Sequence, residues 1–226
     1  MSFAPSTPRG ARDLRSSDKA CADDFCGGAS HAKGVAPAGD CDSYEVEVLI
    51  VHSWTASWAR YCPRCGKEGF DSVDGRKHTC ARCDFQYYHN LAAAVCAILR
   101  CGDDIALVVR ARDPGRGLLD FPGGFVDPAE DLETAVLREV REEIGLELAA
   151  PRYLYSVPNV YRYREVDYWT LDAMFEFTLT RRPVFTLNDE ILDVQWWAPV
   201  AIDPTAVAFA SVRSAIRRLC QGRVGD

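Results

Sequence analysis

The sequence predicts an α/β fold in which a mixed sheet lies between helices. Three observations carry this expectation. Short apolar runs at Ala92–Leu99 and Ile105–Val109 read as strands. One strongly helical stretch, Ala129–Ile144, interrupts the strand pattern. Further strand-like runs follow at Tyr153–Val157, Trp169–Thr178 and Val194–Trp197, before a last amphipathic helix over Ala206–Cys220. No internal repeat is visible.

Each segment has its own reason. Residues 1–43 are rich in Ala, Gly, Ser, Pro and Asp and show no apolar periodicity, so a disordered tail is expected. Arg9, Arg12, Arg15 and Lys19 sit there among serines, but Asp13 and Asp18 count against a transit peptide. Val46, Val48 and Ile50 alternate like a strand, while Leu49 and Val51 blur the pattern, and residues 44–60 are left unassigned. Gly102-Asp103-Asp104 signals a hairpin between the first two strands. In the helix, Leu132, Val136, Val140 and Ile144 recur every four residues and form one apolar stripe. Pro128 precedes it and Gly145 closes it.

Composition narrows the class. A chain of 226 residues fits one ordinary domain plus a small attachment. Apolar residues at 48% and charged residues at 26% suit a soluble globular protein with a core. The net charge of -7 gives no support for a large nucleic-acid footprint, since phosphate backbones call for cations. There is no secretory apolar stretch and no run of about 18 apolar residues, so a cytoplasmic location without a membrane partner is expected, with organellar targeting left open.

Ten cysteines are present. Cys62-Pro63-Arg64-Cys65 and Cys80-Ala81-Arg82-Cys83 form two C-x2-C knuckles with 14 residues between them. Four thiolates at this spacing close a tetrahedron around zinc and leave no open position, so a structural Zn2+ site is expected. Two redox dithiols are the alternative. His78 and His89 lie near but are not needed as ligands. Cys21, Cys26, Cys41, Cys96, Cys101 and Cys220 have no partner spacing and read as free thiols.

The chemistry concentrates between Gly124 and Leu146. Glu139, Glu142 and Glu143 lie at i, i+3 and i+4, so a helix places three carboxylates on one face. Such a face repels itself unless a cation sits among the charges, and hard oxygen ligands favour Mg2+ or Mn2+. Arg138 can orient these carboxylates, with Glu130 eight residues before it. Gly123 and Gly124 stand where chain and ligand could come close. The competing reading is a solvated glutamate-rich face.

This stretch resembles the Nudix box: Gly124, Glu130, Arg138, Glu139, Val140, Glu142, Glu143, Gly145 and Leu146 fill every specified place. The resemblance covers residues 91–220 and implies a Nudix-type α/β/α sandwich with a mixed sheet, preceded by a small zinc ribbon. It implies a magnesium-dependent pyrophosphohydrolase that cuts the diphosphate bond of a nucleoside diphosphate conjugate. Metal ligands would be Glu139, Glu142 and Glu143, with the carbonyl of Gly124 and, from beyond the box, Glu190. Catalytic roles would fall on Glu139, Glu142, Glu143 and Arg138. The ribbon placed before the domain is similar to the NADH pyrophosphatase architecture, but Ser156-Val157-Pro158-Asn159 lacks the Gln and Trp of that group's signature. NADH pyrophosphatase or decapping of NAD-capped RNA is therefore the second reading, and a nucleotide-sensing regulator the third.

The organisation expected is a tail at 1–43, a linker with ribbon at 44–90, and the hydrolase domain at 91–226. Substrate-binding candidates are Arg110 and Arg112, as counter-charges for phosphate, and Tyr161 and Tyr163, as stacking partners for a base. Arg116, Tyr168 and Trp169 are further candidates of the same kinds. A capped RNA end is the one nucleic-acid partner kept open, and a homodimer is also left open.

Overall fold

A computed structural model describes residues 60–72, 76–164 and 166–222. The tail at 1–43, residues 44–59 of the unassigned run, and Cys21, Cys26 and Cys41 lie outside the described residues.

Three short antiparallel strands come first: β1 (Phe70–Ser72), β2 (Lys77–Cys80) and β3 (Gln86–Tyr88), in the order β1-β2-β3. Their core consists of Cys62, Phe70 and Cys80, with Cys65, Cys83 and Phe85 packed against it. So few apolar groups do not hold a fold by themselves, and a cross-link is the usual remedy.

The larger sheet is built from β4 (Ala92–Cys101), β5 (Asp104–Arg110), β8 (Arg152–Tyr163), β9 (Val166–Thr178) and β10 (Ile191–Trp197). Two short strands, β6 (Leu119–Asp120) and β7 (Gly123–Phe125), pair with β5 and β4. The order is β10-β5-β4-β9-β8, and β4 runs parallel to β9 while the other pairs are antiparallel. The sheet is therefore mixed, as expected. Pro158 is tolerated inside β8 because β8 is an edge strand, where a missing N–H breaks no ladder on the open side.

Alternation along the strands sorts side chains into two cores. Val95, Ala97 and Leu99 of β4 join Ala106, Val108, Phe175 and Phe177 beneath α1 (Leu132–Ile144). Cys96 and Ile98 join Ile105, Leu107 and Met174 beneath α2 (Ala210–Cys220). Two helices on opposite faces of one sheet make the α/β/α sandwich. The stripe of α1 is the one the periodicity marked, with Val136, Val140 and Ile144 wholly buried. Each such aliphatic side chain contributes about 1.5–3 kcal/mol through burial.

Helix ends differ from the sequence expectation. α1 begins at Leu132 rather than Ala129, because Asp131 is its N-cap and accepts the Thr134 N–H at 2.7 Å. Ala129 sits in the left-handed region at φ 68 and cannot open a helix. α2 begins at Ala210, since Pro204–Ala206 turns as a separate 3-10 segment. Among the described residues, no helix is long and apolar enough to cross a membrane.

Candidate active site

The packing of α1 on the sheet brings its carboxylates against β7. The backbone N–H of Gly123 donates to Glu143 Oε2 at 2.9 Å. Gly124 passes so close to the helix that a Cβ there would lie 2.6 Å from Glu139 Oε1. At Gly123, with φ +153, a Cβ would lie 2.0 Å from the carbonyl oxygen of Val95 on β4. The first glycine thus admits strand pairing and the second admits a carboxylate, which is a physical reason for both.

Arg138 holds the surrounding loop. Its Nε and Nη2 donate to Glu130 at 3.0 and 2.9 Å, and Nη1 donates to Glu139 at 2.7 Å. Nη2 also reaches the carbonyl of Phe125 at 3.0 Å, and Nη1 reaches Glu142 at 3.3 Å. One guanidinium therefore ties helix, preceding loop and β7 together. The hydrogen bonds from Arg138 hold the Glu130 carboxyl below its ordinary range.

The three box glutamates are not equivalent. Glu143 is 8% exposed, and burial, aided by the nearby charges of Glu139, Asp120 and Glu190, pushes its pKa up to about 8 against the opposing Gly123 N–H. Burial also raises Glu139, with Arg138 opposing it. Glu142 stands half exposed at the outer side of Arg138. Asp120, which the sequence reading passed over, is buried beside them and pushed up to about 6 by desolvation, although Arg110 Nη1 donates to it at 2.8 Å. Arg110 and Arg138 partly offset Asp120 and Glu139, but Glu143 has no such partner, and a positive ion added here would balance the remaining acidity.

Two adjoining clefts open from this cluster and share Arg110, Asp120, Phe121 and Tyr161. One brings Glu143 together with Arg110, Arg112, Tyr161, Tyr163 and Glu190, the residues singled out from sequence. Their charges are largely engaged already. Arg110 Nε donates to the Pro114 carbonyl at 2.8 Å and its guanidinium lies over the Phe209 ring. Arg112 pairs with Glu190 and Asp189, each at 2.5 Å. Arg116 and Tyr168 lie exposed and outside the residues lining either cleft. The other cleft, of about 80 Å³, is lined by Phe125, Asn159, Thr170, Asp172 and Phe209 among others. Sequence reasoning missed Asp120, Phe125, Thr170, Asp172 and Phe209. A signal existed for Asp172, an acid between the apolar residues Leu171 and Ala173 in the middle of a strand run.

A second cluster lies in the small sheet. Cys62 Sγ and Cys83 Sγ are 3.7 Å apart, as are Cys65 Sγ and Cys80 Sγ, and all four sulfurs lie within 4.8 Å of one another. A disulfide would require about 2.05 Å. A tetrahedron with metal–sulfur bonds of about 2.3 Å has edges of about 3.8 Å. The four thiols therefore can hold one metal ion. His78 is not part of this set. It is buried and stacked on Phe70 at 5.3 Å between ring centroids. Cys96, Cys101 and Cys220 form no disulfide.

Comparison with known proteins agrees with the geometry. The NUDIX domain family matches residues 89–218. An NAD-capped RNA hydrolase NudC from Pseudomonas fluorescens is 27% identical over 184 residues, covering 79% of this chain and 63% of that protein. Its namesake from Pseudomonas aeruginosa is 30% identical over 164 residues, covering 70% and 56%. The chain thus spans less than two thirds of the length of these relatives. Among solved structures, a NUDIX hydrolase from Nitrosomonas europaea superposes with a TM-score of 0.56 at 25% identity, over 73% of this chain and 92% of that one. A box complete in sequence, folded so that its glycines meet its glutamates, and a family match over more than half the chain lead to one statement: the chain belongs to the NUDIX family.

Proposed function

We propose that this chain is a pyrophosphohydrolase that uses Mg2+ or Mn2+ to cut the diphosphate bond of a nucleoside diphosphate conjugate, such as ADP-ribose, a nucleotide sugar or a dinucleotide. One observation carries the reading: Glu139 and Glu143 are packed under Gly123 and Gly124, Glu139 sharing one guanidinium with Glu130 while buried Glu143 has a backbone N–H and no salt bridge among the described residues. That donor set fits a hard divalent ion. Glu139 and Glu143 would hold it, with Glu142, the Gly124 carbonyl and Glu190 within the same neighbourhood. The chemistry such an ion supplies is neutralisation of the diphosphate oxygens and a lower pKa for the attacking water.

The chain's own groups do the rest. Arg138 fixes the positions of Glu130 and Glu139. Glu142 or Glu143 takes the proton from water. The water oxygen bonds to one phosphorus as that phosphorus–oxygen bridge breaks, and the second phosphate leaves. Arg110 and Arg112 stand in the cleft where the phosphates would lie, and Tyr161 and Tyr163 offer rings to a base. The four cysteines would hold a structural Zn2+ that stabilises a ribbon within residues 44–90, ahead of a hydrolase domain over 91–226.

The names of the relatives favour a second reading, in which the substrate is NAD itself or an NAD-capped RNA end. A nucleotide-sensing regulator has less support, because the carboxylate set is intact. A substrate panel in the presence of Mg2+, followed by phosphatase treatment and phosphate detection, tests the proposal. Release of phosphate from conjugates, dependent on Mg2+ and absent from controls without enzyme, is the expected result. No release from any conjugate would overturn it.

A further inference from the structure

The cleft beneath α2 has a floor that the hydrolytic chemistry does not use. Asp172, on β9, is buried at 5% exposure and lines this cleft. Thr170 Oγ1 donates to its Oδ1 at 2.6 Å, and Asn159 Nδ2 donates to its Oδ2 at 3.1 Å. Both donors are neutral. Each carboxylate oxygen has a second lone pair, so a carboxylate bound this way retains acceptor capacity on both oxygens. Its partners also fix it: Thr170 precedes it by two residues on one face, and Asn159 lies opposite Thr170 in the β8–β9 register.

Aromatic rings stand over the same cleft. Phe125 meets Tyr161 edge to face at 5.5 Å, and Tyr161 meets Phe209 at 5.7 Å. The three rings pack on one another along one border of the cleft, and an aromatic border beside a polar group suits a planar heterocycle that stacks on a ring face and hydrogen-bonds at one edge. Gly124 lines this cleft and also touches Glu139, so a base seated here would leave its phosphates at the carboxylate cluster.

We infer that Asp172, oriented by Asn159 and Thr170, reads the base of the substrate and selects a guanine-type edge over an adenine-type edge. This rests on the diphosphate-hydrolase reading for the placement of the phosphates. A fixed carboxylate offers two acceptors side by side. Guanine presents two N–H donors side by side, at N1 and the exocyclic amine. Adenine presents one donor beside the lone pair of N1, and that lone pair would face a carboxylate oxygen in a dry site. Leaving buried polar groups mismatched discriminates more strongly than any difference in apolar fit. Asn159, which replaces an aromatic residue of the NADH-type signature, has a role on this reading: it holds the acceptor.

The test uses the full chain. Calorimetry compares GMP and AMP binding, and kcat/KM is measured with Mg2+ for GDP- and ADP-conjugates of the same hexose. GMP is expected to bind at least about tenfold more tightly, with a preference of similar size for the GDP conjugate. Asp172→Asn replaces one acceptor by a donor. It should bring both ratios near one or invert them, with the change in KM rather than kcat. Equal binding, tighter AMP binding, or an unchanged ratio in the folded variant overturns the inference. GMP-selective binding without hydrolysis of either conjugate upholds the base reading and sinks the hydrolase reading. Equal hydrolysis of both does the reverse. Should Asp172→Asn not fold, the wild-type binding ratio decides the matter.

Discussion

The cysteine cluster and the carboxylate cluster each gather like-charged ligand atoms into a small volume, but they do so at opposite scales. The four cysteines come from two turns within 22 residues, and the core around them is little more than Phe70, Phe85 and the cysteines themselves. The carboxylates stand on a helix whose apolar stripe is buried in a large core, and they meet Gly123, Asp120 and Glu190 from three other segments. On the proposed reading, the first cluster would depend on a bound metal for its structure. The second is held by structure that exists without the ligand and tolerates the repulsion. Removing a ligating group should therefore unfold the one and disable the other.

The largest expected effect tests the second half of that contrast. Glu143→Gln keeps shape and removes a charge, so turnover should fall by about a thousandfold or more while the protein remains folded. Stability should move in the other direction. The folded pKa of Glu143, about 8, is raised above its ordinary value of 4.5. Its contribution to stability is thus full below pH 4.5 and is lost as the pH rises towards 8, because ionisation is easier in the unfolded chain. In cation-free buffer at pH 8, Glu143→Gln should be more stable than wild type by about 4 kcal/mol. Denaturant melts of the two proteins in chelator, alongside activity assays in Mg2+, read both effects. A folded variant with near-normal turnover would break the comparison.

The ribbon should behave oppositely. Metal analysis of protein purified without added zinc should find one zinc per chain. Cys80→Ser should lose that zinc and destabilise the ribbon by several kcal/mol, visible as amide exchange and proteolysis confined to residues 60–90. The kcat of the remaining folded protein should change far less than with Glu143→Gln, since the two sites share no ligands. If zinc is absent from folded, active protein, the cysteines do not staple this region and the contrast loses one side.

The smallest expected effect sharpens the boundary between holding phosphates and choosing a substrate. ADP-ribose and NADH carry the same adenosine diphosphate, so their ratio of kcat/KM reports only the nicotinamide end. With Val157 buried in the core and Asn159 Nδ2 donating to Asp172, these two positions do not supply the side chains of the NADH-type signature. ADP-ribose should be cut at least as well as NADH at equal Mg2+. A hundredfold preference for NADH, about 2.7 kcal/mol, would show that another region reads the nicotinamide.

Sequence by itself determined the features that depend on short-range spacing. The stripe from Leu132 to Ile144 marked the buried face of α1, because residues four apart share a helix face. The same periodicity put Glu139 and Glu143 together on one side, and the knuckle spacing brought four sulfurs within reach of one ion. Tertiary structure alone decided what meets those features. Nothing local says that Gly124 passes within van der Waals reach of Glu139, since their contact arises only when β7 pairs with β4 and α1 packs on the sheet. Glu142 matches the box as well as Glu143 does, yet one is half exposed and the other buried, because 100° per residue turns them to different surroundings. Arg110 and Arg112 look like free cations in sequence and prove to be engaged by Asp120, Asp189 and Glu190, up to 78 residues away. Asp172 gained its partners in the same way, from a strand register that pairs Asn159 with Thr170. The physical reason is common to all of these: periodicity is a property of one element, whereas burial and charge pairing are properties of which elements pack together.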